Sequence, residues 1–168
     1  MDFKELCERR FSVRDYREET IPADKLRYVK ECVQLAPSAC NKQPWLFIEV
    51  SSPDTRAKLQ ECYDREWFAK APLYIVACDR TEQAWVRPKD GKCHGDIDVS
   101  IAIEHLCLAA AAVGLGTCWI CNFDVARCRE ALHLPATIEP VAIIPMGFPV
   151  SSPPRKSRKD LSEIWQGE

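Results

Sequence analysis

Apolar positions along the chain recur at two periods, and the switches between them mark its elements. Asp2 stands where a cap belongs, ahead of a first helix running to about Arg9, and RFSVRDY then reads as extended chain. Pro22 suits the first turn of a second helix, in which Leu26, Val29, Val33 and Ala36 recur at helical spacing until Pro37 stops it. WLFIEV, 45 to 50, is a strand by its branched and aromatic content, and Pro53 with Asp54 opens a helix to about Tyr63. LYIVAC, 73 to 78, is an apolar run bounded by Pro72 and Asp79, which suits a strand buried on both faces.

The longest helical pattern runs from Ile97 to Val113, and in LCLAAAAV its apolar residues cover nearly the whole circumference. Such a helix is buried on all sides, inside the domain or between two subunits, and Gly114 sits where a left-handed cap would end it. GTCWIC, 116 to 121, follows as a strand, Asp124 to about Leu132 as a helix, and PVAIIPMG, 140 to 147, as the last strand. Strands separated by helices predict an α/β or α+β sandwich. The residues from 149 are too rich in proline and basic groups to join that core. They predict an arm with an anchor, since Leu161, Ile164 and Trp165 would cover apolar surface.

A length of 168 residues suits one domain, 1–168, with 149–168 as its C-terminal arm. Lys and Arg number 23 against 25 Asp and Glu, a net charge of -2, which gives no reason to expect nucleic-acid binding. The N-terminus lacks the apolar run of a signal peptide, and no stretch approaches the roughly 18 apolar residues of a membrane span. A cytoplasmic location is the expectation. The ten cysteines are scattered through helical and strand patterns, so most are expected to be reduced thiols acting as small apolar side chains.

Two polar segments carry the chemistry. In RRFSVRDY, alternation along an extended chain places Arg10, Ser12 and Arg14 on one face, a surface for an anion. APSACNKQPW, 36 to 45, sets Ser38, Asn41 and Gln43 on a loop stiffened by proline, where a plain turn would need none of them. Either segment alone fits a solvated surface. Their order, with a glycine-bounded turn at 114 to 117 and a basic group at 155 to 159, is more specific.

With these motifs, Arg9 to Arg14, Ala36 to Trp45, Ala111 to Trp119, and Gly147 to Pro149 with Arg158 and Lys159, the chain resembles a short member of the nitroreductase family of FMN-dependent oxidoreductases. The resemblance implies the α+β nitroreductase fold: a central mixed sheet flanked by helices, in an intertwined homodimer with FMN at the subunit interface. Arg10, Phe11, Ser12 and Arg14 would come from one subunit and Pro37, Ser38, Ala39 and Asn41 from the other. Arg10 and Arg158, with Lys159 beside them, would hold the phosphate, and Arg14 would lie by N1 and O2 of the ring. Asn41 matches ring-edge donors and acceptors, and Gly116 and Thr117 would lie near N5, where glycine permits close main-chain approach. The arm would contact the partner subunit.

The implied activity is electron transfer from NADH or NADPH to a small nitroaromatic, quinone or other unsaturated acceptor by a ping-pong mechanism. The cofactor does the chemistry in a flavoenzyme, so no side chain is assigned a catalytic role and no metal site is expected. A flavin store or sensor without efficient turnover uses the same residues. A cysteine-based redox or metal protein would use Cys118 and Cys121, yet within a strand these point to opposite faces. His105 reads as a structural histidine, Trp119 as core, and 79 to 96 as the only candidate lid.

Overall fold

A computed structural model describes residues 1–167. Four strands form one sheet in the order β1-β2-β4-β3: β1 (Trp45–Val50), β2 (Leu73–Arg80), β4 (Ile138–Gly147) and the two-residue β3 (Gly116–Thr117). Every strand pairs antiparallel with its neighbour, with β1 running Trp45 opposite Asp79 to Val50 opposite Tyr74. The expected mixed sheet is therefore corrected to an antiparallel one. Among the described residues the only parallel pairing is an isolated bridge between Ser12 and Thr117.

The apolar run of β2 is explained by two cores. Leu73, Ile75 and Ala77 face one, together with Val29 and Val33 of α2 (Ala23–Gln34) and Ala102, Leu106 and Ala110 of α5 (Gly95–Ala112). Tyr74, Val76 and Cys78 face the other, with Leu59 of α3 (Pro53–Gln60), Phe68 of α4 (Glu66–Ala69) and Cys128 of α6 (Val125–Ala131). Successive side chains leave a strand on opposite faces, so burial on both sides demands an unbroken hydrophobic sequence. The result is three layers, helices on each side of one sheet.

Several boundaries differ from the sequence pattern for local reasons. Pro22 is the N-cap of α2, one place before its first turn. Ser52 caps α3 by accepting from the Thr55 amide, and α3 ends at Gln60, short of Tyr63. GTCWIC is a strand only at Gly116–Thr117; beyond it Ile120 forms an isolated bridge to Ile143. α4 had no clear periodic signal because it is a single turn. The stretch 79 to 96 is divided: Asp79 and Arg80 finish β2, and Gly95 and Asp96 open α5. Between them the chain doubles back on itself, with Val86 bridging Cys93 and the Arg87 guanidinium gripping the Asp90 carboxylate.

α1 (Phe3–Arg9) is closed by a capping box between Asp2 and Glu5. After Gly147 the arm runs over the surface to α7 (Leu161–Ile164), where Leu161, Ile164 and Trp165 are 76%, 61% and 79% exposed. Among the described residues these three side chains cover no apolar surface, so the expected anchoring is not made within the single chain.

Candidate functional site

Residues 10 to 16 lie along the β3 edge. The Val13 amide donates to the Thr117 carbonyl at 2.9 Å, and Tyr16 bridges Pro149. Val13 turns inward at 1% exposed, while Ser12 and Arg14 turn outward, the alternation expected from an extended segment. Arg10 is half-buried, 4.0 Å from Glu104 of α5. The Arg14 guanidinium lies 5.9 Å from the centre of the Trp67 ring, and Lys70 reaches the Asp15 carboxylate at 3.1 Å. The segment from Trp67 to Lys70, silent in the sequence, thus braces the arginine motif.

Gly116 and Thr117 stand beside that motif, and packing gives the glycine a reason of its own. A Cβ at position 116 would come 2.4 Å from Cγ2 of Val13, so the glycine admits the packed Val13 side chain. Thr117 is 3% exposed. Burial pushes the neighbouring Cys107 thiol up to about 12, opposed by a hydrogen bond with the Thr117 side chain. Arg10, Phe11, Gly116, Thr117 and Pro149 share the lining of a cleft of about 260 Å³.

The arm supplies further cations. The Lys156 ammonium donates to the Cys7 carbonyl, which ties the arm to α1. Burial lowers the Lys156 pKa, and the positive charges of Arg10 and Arg158 lower it further, so each arginine lies within electrostatic reach of Lys156. Lys156 escaped the sequence reading, which paired Arg158 with Lys159. In extended chain, residues two apart share a face, so Lys156 and Arg158 are the natural pair. Lys159 is exposed and makes no hydrogen bond or ion pair among the described residues.

The loop after α2 is stiffened from within. The Gln43 amide donates to Ser38 Oγ at 2.8 Å, and Gln43 Nε2 donates to Asn41 Oδ1 at 2.9 Å. Cys40, Asn41 and Gln43 all hold left-handed backbone, with φ of 50°, 52° and 48°. The Ala39 amide donates to Asp98 Oδ1 at 2.8 Å, and Asp98 is 2% exposed in the first turn of α5. Ser38 and Gln43 therefore hold the loop in shape, and Pro37, Ala39 and Asn41 ride on it.

Loop and arginine motif meet α5 at Asp98 and Glu104, six residues or about 9 Å apart along the axis. No hydrogen bond or ion pair joins them within the chain among the described residues.

Other chemistry separates cleanly from this region. His105 Nδ1 is hydrogen-bonded to the Ile101 carbonyl at 3.0 Å, the structural role expected of it. Cys118 is buried and Cys121 exposed, and both are free thiols. Burial raises the Cys118 pKa, with Arg14, Ser12 and Arg10 opposing it. Trp119 is half-buried against the first core rather than wholly within it. Among the described residues no group of three or more His, Cys, Asp or Glu side chains could hold a metal ion.

An antiparallel sheet between helical layers, with Arg10 and Arg14 along one edge and Lys156 of the C-terminal arm tied to α1, defines an α+β protein. The sequence model of the nitroreductase family matches residues 7–64 and 60–148. The chain belongs to the nitroreductase family. It superimposes on the crystal structure of a nitroreductase family protein from Clostridium difficile 630 with a TM-score of 0.94 and 35% identity, covering 100% of this chain and 99% of that one. It is similar to an NADH dehydrogenase of Thermus thermophilus, 26% identical, over 98% of this chain and 95% of that protein. It is also similar to an FMN reductase [NAD(P)H] of Bacillus subtilis, 27% identical, over 88% of this chain and 66% of that protein.

Proposed function

We propose that the protein is a homodimeric FMN-dependent oxidoreductase. It takes electrons from NADH or NADPH and passes them in a ping-pong cycle to a small nitroaromatic, quinone or other unsaturated acceptor. The observation that carries this reading is the cleft lined by Arg10, Phe11, Gly116 and Thr117 on the arginine-motif edge, with Lys156 of the arm tied to α1 within electrostatic reach of Arg10. Three cations, Arg10, Lys156 and Arg158, outnumber the two nearby carboxylates, Glu104 and Glu8, which favours an anion such as a phosphate monoester. The names of the Bacillus subtilis and Thermus thermophilus relatives support FMN and a nicotinamide donor.

When bound, FMN supplies the hydride and electron chemistry, and the chain binds, orients and polarises it. Arg10, Lys156 and Arg158 hold the phosphate, with Lys159 at the rim and Ser12 adding a hydroxyl. Arg14, outward-facing and steadied by Trp67, stabilises negative charge at the N1 and O2 edge of the ring. Phe11, Gly116 and Thr117 form the wall toward N5. The second subunit brings Pro37, Ser38, Ala39 and Asn41, a division that rests on the family likeness and fits a loop and an arginine motif joined by no hydrogen bond within one chain among the described residues. Leu161, Ile164 and Trp165 of the arm cover apolar surface of that partner.

The test is an anaerobic visible spectrum of the FMN-loaded protein before and after NADH or NADPH. The flavin bands bleach with one nicotinamide and return when a quinone or nitroaromatic is added. Bound flavin that stays oxidised with both nicotinamides contradicts the reductase assignment.

A further inference from the structure

Asp98 is a carboxylate in an expensive position. It is 2% exposed, and its Oδ2 has no hydrogen-bond partner. Leaving a carboxylate oxygen unpaired in the interior is strongly unfavourable. Asp79 on β2 and Asp96 on α5 add like charge to the same region, as the raised pKa of Asp79 records, with burial as its first cause. The amino end of the eighteen-residue α5 offsets part of that cost, since the first turn of a helix favours negative charge. A leucine would suit the packing better here, and an asparagine would avoid burying the charge.

What the carboxylate accomplishes is specific. Its Oδ1 accepts the Ala39 amide at 2.8 Å. Other hydrogen bonds made by residues 37 to 43 close within the loop or onto its own ends: Gln43 to Ser38, Asn41 to the Ser38 carbonyl, Lys42 to the Ala39 carbonyl. The Asp98 bond alone ties this segment to another element among the described residues. It grips the segment one residue before the left-handed pair Cys40 and Asn41, which non-glycine residues hold only when their surroundings impose it.

We infer that Asp98 is the positioning residue of the loop from Pro37 to Gln43: through the Ala39 amide it fixes the loop on α5 in the conformation that meets the flavin. The inference rests on the proposed FMN site and adds to it a residue that touches no cofactor. A charge-assisted bond from a rigid helix keeps the loop ordered before the ligand arrives, so binding does not bear the cost of ordering it.

Three measurements on the full chain test it. Amide exchange followed by NMR in the FMN-free protein finds the Ala39 amide protected, well above its exposed loop neighbours. FMN titration of Asp98→Ala shows affinity weakened by about tenfold or more, with thermal stability and far-ultraviolet signal near those of the unsubstituted protein. Asp98→Asn, whose side-chain oxygen still accepts the Ala39 amide, restores affinity to within about threefold. An Ala39 amide that exchanges as fast as an open loop overturns the inference even if neither variant folds. Equal FMN affinity in Asp98→Ala overturns it as well, and so does an Asp98→Asn variant as weak as Asp98→Ala. Failure of the unsubstituted protein to bind FMN sinks the cofactor assignment instead, and the exchange measurement still decides whether Asp98 orders the loop.

Discussion

Single residues here are placed by their neighbours more than by their own chemistry. Asp79 is 4% exposed, and its carboxylate lies so close to residue 95 that a Cβ there would meet Oδ2 at 2.0 Å, which is why α5 begins with glycine. Burial, then Asp96, Asp98 and Glu139, raise its pKa. A carboxyl whose folded pKa lies above its unfolded value binds protons more tightly when folded, so stability falls as pH rises between the two values. Asp79→Asn removes that dependence. It is expected to raise the melting temperature at pH 7 by about 2 °C or more, with the gain shrinking as pH falls toward the unfolded carboxylate value near about 4. Thermal melts across that range check it, and a gain that grows on acidification contradicts it. The residues of the arginine motif were legible as a face because alternation alone sets their direction. Asp98 and Lys156 were not, because each acts on a segment far away in sequence, and single-chain spacing carries no sign of such contacts.

At the scale of elements, periodicity located every long helix and the three long strands. Both faces of β2 being buried followed from its unbroken apolar run. What failed was GTCWIC, whose strand stops at Thr117, because beyond it the chain keeps only a long 3.4 Å bond from the Cys118 amide to the Pro145 carbonyl and an isolated bridge at Ile120 among the described residues. The mixed sheet, a matter of resemblance rather than pattern, gave way to antiparallel pairing. β3 matters less as a strand than as the rail on which the arginine motif lies. Gly116→Ala is expected to push Val13 off that rail, since the new methyl would sit 2.4 Å from a packed side chain. The expected cost is about 1–3 kcal/mol in urea denaturation, with part of it recovered in the double variant Gly116→Ala, Val13→Ala. A neutral single variant would show that the edge yields freely.

For the whole molecule, the unmatched surfaces are the informative ones. The arm carries its cations back to α1 through Lys156, then projects Leu161, Ile164 and Trp165 into solvent. The loop from Pro37 to Gln43 is held by α5 yet joined to the arginine motif by no hydrogen bond or ion pair within the chain among the described residues. A site that two subunits complete accounts for both features, and in the sequence that expectation rests on family likeness alone, since no spacing within one chain encodes a partner. Sedimentation velocity of the FMN-loaded protein, followed at the flavin absorbance over a dilution series, tests that claim most directly. The account predicts flavin travelling with a dimer and released as dilution yields monomer; flavin that sediments tightly bound to a monomer contradicts it.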